Sequence, residues 1–212
     1  MEGIIRQTNG TVIVLPATPG GLVNAQQLTK IAQLVTEGAG LAKFTTGQRV
    51  AIFTTEDKIE SVRAGLAEVG LTVGPAGNTV RSVKACTGDF CQWALQDTLT
   101  HGIELDGRFS GLPLPFAFKI GVSGCGRNCM EVQSQDLGLA ATLNGYNIYI
   151  GGKGGGKPVH GQLLAQDVPY EEVSGYIDHI IQVYKANAGP KERLNKVLAR
   201  MGLEPFSLTN LI

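Results

Sequence analysis

The chain has 212 residues, the size of one domain or two small ones. Its 18 Lys and Arg balance 18 Asp and Glu, and a formal net charge of zero excludes a general nucleic-acid binder with its basic excess. With 43% hydrophobic and 17% charged residues it is not a disordered chain, and its 29 glycines stand well above the usual ~7%.

The start, Met1-Glu2-Gly3-Ile4-Ile5-Arg6, shows no basic segment leading into an apolar one, and no window reaches the ~18 apolar residues of a membrane span. The expected setting is cytoplasmic, with neither membrane nor nucleic acid as partner. Thiols stay reduced there, and clustered cysteines bind metal more often than they form disulfides.

In chain order, residues 11–15 (TVIVL) read as a buried strand, stopped by Pro16 and the Pro19-Gly20-Gly21 turn. Asn24 is placed to cap a helix that carries Leu28, Ile31, Leu34 and Val35 on one face and ends at Gly38 and Gly40. Residues 49–54 read as a second strand, and Ile59, Val62, Leu66 and Val69 recur at helical spacing before Gly70. Residues 1–73 thus form a β-α-β-α unit, and 74–80 a linker or turn. Further strands are expected at 116–122 and 145–150, with a glycine run at 151–156. After Pro169, the spacing of Val173, Tyr176, Ile177, Ile180, Ile181 and Tyr184 predicts an amphipathic helix, and a last helix is expected near 190–201, ended by Gly202.

The four cysteines form two pairs, Cys86-Thr-Gly-Asp-Phe-Cys91 and Cys125-Gly-Arg-Asn-Cys129. Four thiolates match one 4Fe–4S cluster or one structural zinc, although zinc pairs favour C-x2-C; unligated core thiols are the third reading. Gly88, Gly124 and Gly126 beside the pairs allow tight turns and amides close to sulfur, contacts that would tune a cluster.

The run from Phe118 to Cys129 (FKIGVSGCGRNC) resembles the second cysteine motif of the siroheme-dependent sulfite and nitrite reductases, and Arg81 to Cys91 (RSVKACTGDFC) resembles their first. Thr45-Thr46-Gly47-Gln48-Arg49, the Pro19-Gly20-Gly21 start and the segment 151–157 are similar to other parts of that family, so the resemblance covers nearly the whole chain. It implies an α+β chain, with a ferredoxin-like α/β sandwich half-domain over 1–75 and a 4Fe–4S and siroheme-binding α/β domain over 76–212. It implies that Cys86, Cys91, Cys125 and Cys129 hold the cluster and that Cys129 is shared with the siroheme iron. The layout is closest to the small single-repeat, assimilatory-type sulfite reductases of anaerobes. A single repeat either binds the cofactor alone or pairs with a second copy as a homodimer.

Siroheme is a polycarboxylate and the substrate an oxyanion, so Arg and Lys are required at the site. By resemblance, Arg81 and Lys119 match catalytic anion-binding positions, and Arg49, two residues from Gly47, is the third catalytic candidate. Lys84, Arg108, Arg127, Lys153 and Lys157 are candidates for siroheme carboxylates, and Thr45, Gln48 and Asn128 for neutral hydrogen bonds. The chain departs from the family in its C-x4-C first pair, usually C-x5-C, and in Gly47 and Ala117, which stand where basic residues are common.

The segment Gly151 to Pro158 (GGKGGGKP) nearly matches a phosphate-binding loop, but Pro158 takes the position of the required hydroxyl and has no N–H. A glycine loop passing close to a large flat cofactor is the better reading. No G-x-G-x-x-G follows a strand, so no NAD or flavin site is expected and electrons must come from an external, ferredoxin-like donor. The expected function is six-electron reduction of sulfite to sulfide; nitrite reduction to ammonia, a non-catalytic electron-transfer module and a structural zinc protein are the alternatives.

Overall fold

Two sheets organise residues 2–208, the part described by the computed structural model; residue 1 and residues 209–212, at the outer ends of the two expected domains, lie outside the described residues. The first half runs β1 (Ile4–Arg6), β2 (Val12–Val14), α1 (Ala25–Glu37), β3 (Ala42–Phe44), β4 (Val50–Thr54) and α2 (Ile59–Ala67). Its sheet has the order β1-β2-β4-β3 and is antiparallel throughout. Both helices lay their apolar stripes on it, burying Ile31, Leu34, Val62 and Leu66 against Val12, Val14 and Ile52.

Asn24 caps α1 as its sequence suggests. Its side chain accepts the Gln27 N–H at 2.8 Å, and the Gln27 side chain accepts the Asn24 N–H at 3.0 Å. Leu28, expected on the apolar face, is exposed. The sequence reading missed β1 and β3, which flank the sheet and are only three residues each. Their side chains are mostly exposed, so they carry no alternation to detect.

The second half contains β5 (Lys84–Ala85), α3 (Thr98–Phe109), β6 (Ile120–Ser123), β7 (Leu137–Ala141), β8 (Tyr146–Ile150), β9 (Gln162–Val168), α4 (Tyr170–Asn187) and α5 (Leu194–Met201). The strand order is β5-β6-β7-β8-β9, parallel from β5 to β7 and antiparallel from β7 to β9. Strand β6 is wholly buried, β7 nearly so, and β8 alternates, as central strands of a covered sheet should. Helices α4 and α5 cover it with Val173, Ile177, Ile180, Leu194 and Val197.

Two expectations need correction. The strand expected at 116–122 starts only at Ile120, because residues 116–119 form a lead-in whose Phe118 bridges to Val80. Helix α5 starts at Leu194 rather than 190. Helix α3 has no visible helical period in the sequence. Half of its buried face is Thr98, Gly102 and Asp106, so its period is hidden in polar and small residues. The overall class is α+β, as the sequence indicates.

The halves are joined at the β3–β4 turn. Gln48, held at a left-handed φ of 56°, donates from Nε2 to the Ala85 carbonyl at 2.7 Å and accepts the Ala85 N–H at 2.9 Å on Oε1. Thr18 Oγ1 donates to the Gln48 carbonyl at 3.0 Å, and Arg49 donates to the Pro75 carbonyl at 2.9 Å.

Glycine positions give a direct stability test. A Cβ on Gly138 would lie 2.2 Å from the Val132 carbonyl oxygen, whereas one on exposed Gly175 in α4 meets nothing within 4 Å. Gly138→Ala is expected to cost about 2 kcal/mol as an overpacking change. Gly175→Ala is expected to gain up to about 1 kcal/mol of helix propensity. Denaturant midpoints of the two variants check this.

Candidate functional site

Parallel pairing of β5 with β6 sends two loops out from the carboxyl ends of neighbouring strands, the usual place for a ligand in such sheets. Cys86 follows β5 directly, its N–H bonded to the Val122 carbonyl at 3.0 Å. A turn at Gly88 brings Cys91 back, and Gly88 has a φ of 53° with no room for a Cβ against Leu99 N, 2.8 Å away. The second loop follows β6 and is fixed by Asn128, at φ 53°, whose side chain accepts the Val132 N–H at 2.9 Å. The Leu95 N–H reaches the Gly124 carbonyl at 2.7 Å and ties the loops together.

The four cysteines line one small cavity of about 40 Å³, with Gly124 and Arg127 in its wall. The Gly124 N–H donates to Cys86 Sγ at 3.0 Å, and Thr98 Oγ1 also lies 3.0 Å from that sulfur. The amide-to-sulfur contact expected beside the pairs is therefore present at Gly124; at Gly126 nothing approaches. Among the described residues no three His, Cys, Asp or Glu side chains converge as a single metal ion requires. Thiols spread around a shared cavity suit a multi-atom cluster better than one tetrahedral zinc.

Cys86 and Cys129 also line a second cavity of about 680 Å³, which is walled mainly by apolar groups including Leu22, Val50, Leu99 and Met130. Thr45 and Arg49 form a wall common to this cavity and a third, of about 540 Å³. The third is predominantly basic: Arg49, Arg81, Lys84 and Lys119 line it against a single carboxylate, Glu131, with Ser82, Gln135, Gly154 and Gly155. Burial holds Arg49, Arg81 and Lys84 below their ordinary pKa values. Arg81 adds to the effect on Arg49, while Glu131 opposes that on Lys84. Arg81 Nε and Ser82 Oγ are buried without a hydrogen-bond partner. Buried donors in that state cost ~1–3 kcal/mol each, so this wall is suited to an acceptor from outside the chain. An apolar chamber bordered by thiols on one side and cations on the other fits a large polycarboxylate macrocycle beside a cluster.

Two buried carboxylates stand behind the basic wall. Asp106, on α3, accepts the Val83 N–H at 2.7 Å. Asp136 accepts the Lys119 N–H at 2.9 Å and pairs with Arg193 at 2.7 and 2.9 Å. Burial pushes both carboxyls above their ordinary range; the Val83 N–H works against this at Asp106 and Arg193 at Asp136.

The structure brings together Cys86, Cys91, Cys125, Cys129, Thr45, Arg49, Arg81, Lys84 and Lys119, and places other candidates differently. Gln48 lines the apolar cavity, but both ends of its amide are committed to Ala85. Asn128 spends its side chain inside its own loop on Val132 and Gln133. Arg127 covers the Trp93 ring at 4.6 Å, beside the cysteine cavity. Arg108 is a correction: it pairs with Asp178 and Ser174 on α4 and lines none of the three cavities. Lys153 and Lys157 are likewise outside their walls, where the glycine run enters through Gly154 and Gly155 instead. Sequence reasoning missed the exposed rings of Phe44 and Phe90 at the apolar cavity, because a lone surface aromatic carries no spacing signal.

Comparison with known proteins agrees with this geometry. Residues 76–208 match the family described as the nitrite and sulphite reductase 4Fe–4S domain, and residues 5–69 the nitrite/sulfite reductase ferredoxin-like half domain. An assimilatory-type sulfite reductase of Nitratidesulfovibrio vulgaris is 32% identical over 204 residues, 95% of this chain and 93% of that protein. The nitrite reductase (NAD(P)H) of Emericella nidulans is 38% identical over 88% of this chain, and the large subunit of the NADH nitrite reductase of Escherichia coli 36% over 84%. The chain spans only 17% and 21% of their lengths. Two solved structures share the fold. Dissimilatory sulfite reductase I has a TM-score of 0.82 at 16% identity, over 92% of this chain and 68% of that one. The Mycobacterium tuberculosis NirA protein has 0.77 at 23%, over 97% and 41%.

A Cβ on Gly124 would sit 3.0 Å from both Cys86 Sγ and Thr98 Oγ1. Gly124→Ala is therefore expected to lower iron and acid-labile sulfide per chain, and Arg108→Ala to leave both unchanged. Metal analysis of anaerobically purified protein checks this.

Proposed function

The chain belongs to the nitrite and sulphite reductase family, whose cofactors are a 4Fe–4S cluster and siroheme, and we propose that it catalyses the six-electron reduction of sulfite to sulfide. The observation that carries this reading is that Cys86 and Cys129 stand in the wall common to the cysteine cavity and the large apolar cavity. Sulfite is favoured because the sulfite reductase relative is matched over nearly its full length. Nitrite reduction on the same site is the second reading, favoured by the higher identity of the nitrite reductases.

Cys86, Cys91, Cys125 and Cys129 would hold the cluster, with Cys129 shared with the siroheme iron. The cofactors, when bound, supply electrons and the iron at which the oxyanion is reduced. Arg81, Arg49, Lys84 and Lys119 attract the anion and counter the charge that develops as its oxygens leave. Arginine does this with paired N–H donors; Lys119 acts as a compact charge and, with ordered water, supplies protons. Main-chain positions are fixed beforehand by Asp106 and Asp136, so little reorganisation is needed during reaction. Electrons enter from a ferredoxin-like carrier.

The test is anaerobic turnover with a reduced donor, measuring sulfide from sulfite and ammonia from nitrite. Lys119→Met is expected to lower kcat/KM roughly a hundredfold. Cys129→Ser is expected to abolish the cluster-coupled siroheme spectrum; an unchanged spectrum overturns the shared-ligand role.

A further inference from the structure

Asp136 is 0% exposed and lines none of the three cavities, yet it holds two segments that reach the basic one. Its carboxylate accepts the Lys119 N–H at 2.9 Å, and the next residue, Leu137, donates its N–H to the Lys119 carbonyl at 3.0 Å. Lys119 is thus gripped on both sides of its main chain. The Asp136 carbonyl accepts the Gly151 N–H at 2.8 Å, at the start of the glycine run. The following residue, Gly152, packs where a Cβ would lie 2.3 Å from the Gln133 carbonyl oxygen and 2.4 Å from that of Gln135. The run is therefore anchored at its origin before Gly154 and Gly155 reach the cavity.

Arg193, at the N-terminal end of α5, completes the arrangement with two hydrogen bonds to the same carboxylate. A carboxylate paired in this way offers strong acceptors to Lys119 while adding little net charge to the neighbourhood. The cations of the cavity wall keep their field toward the cavity.

We propose that Asp136, charge-balanced by Arg193, is the positioning residue for the anion cavity, setting Lys119 and the origin of the glycine run as one unit. The inference rests on the reductase reading, since it assigns the cavity to the substrate oxyanion. Asp136→Asn keeps the shape of the side chain and an acceptor oxygen but loses the ion pair.

The holoenzyme carrying Asp136→Asn is expected to show a KM for sulfite raised about tenfold, a kcat within about threefold of the parent and an unaltered visible spectrum. Peptides spanning Lys119, whose N–H the carboxylate accepts, are expected to exchange amide hydrogens faster, with those of β2 and β4 unchanged. In a Lys119→Met background the substitution is expected to raise KM less than about twofold further, because the side chain it positions is gone. An unchanged KM in the folded, loaded variant, or an equal effect in both backgrounds, overturns the proposal while leaving the reductase reading intact. A loaded parent that neither binds nor reduces sulfite or nitrite overturns both. If Asp136→Asn does not fold, Arg193→Lys takes its place; it keeps the charge but loses the paired contact, and a KM raised about threefold is expected. An unaltered KM there likewise overturns the proposal.

Discussion

The parallel pairing of β5 with β6 is the constraint from which the site follows. The register matches Lys84 with Gly121 and Ala85 with Val122. Upstream of it, the Arg81 N–H bonds the Phe118 carbonyl at 2.8 Å, so Arg81, Lys84 and Lys119 collect at one end of the strand pair. Downstream, Cys86 and the Cys125–Cys129 loop collect at the other. Antiparallel pairing of the same strands would place cations beside thiols. In parallel, two strands of a few residues each separate a cationic end from a sulfur end, and the chamber shared with the first half lies alongside. Gln48 sets that chamber from the opposite side, by fastening its amide to the backbone of β5 itself.

Zero net charge is compatible with this cationic end because the balancing carboxylates are disposed of in two ways. Surface acids such as Glu2, Glu56 and Asp178 are paired with surface arginines, where solvent screens them. The two buried acids nearest the cations, Asp106 and Asp136, face backbone N–H groups of the very segments that carry the basic residues. Both anchor main chain, and Asp136 is in addition the counterion of Arg193, which lines none of the three cavities. Arg81 and Lys119 share the walls of the basic cavity with one carboxylate, Glu131, which acts on Lys84.

What the sequence made legible follows the same physics. The capped α1, the apolar stripe of α4 and the strand β4 are local patterns, and each is present. The cysteine pairs were legible as candidates because residue type and spacing are visible in sequence, and the structure brings all four to one cavity. Helix α3 was not, because its inner face is spent on Thr98 at Cys86, Gly102 against Ala85 and Asp106 at Val83; the site has replaced the hydrophobic signal. Arg108 looked like a candidate because charge alone does not say which way a helix face points. The glycine run looked like one device and is two. Gly151 and Gly152 permit packing against Leu198 and the Gln133 and Gln135 carbonyls, and only Gly154 and Gly155 reach a cavity.

The exposed aromatic rings belong to the same account. Phe44 is 78% and Phe90 87% exposed, both beside the apolar cavity rather than within either core. Apolar surface in water costs about 25 cal/mol per Å², so two such rings, with Leu22 nearby, are a standing cost to the chain alone. A large flat ligand seated in the cavity would cover part of that surface and would meet the lone donors Arg81 Nε and Ser82 Oγ in the adjoining wall with acceptors. The apolar and polar deficits of the chain therefore fall on adjoining walls and are relieved by one class of ligand, apolar in its plane and anionic at its rim. Binding free energy of that kind adds to folding stability by mass action. The rim aromatics and the lone donors thus mark adjoining walls on which a bound cofactor would add to the stability of the fold.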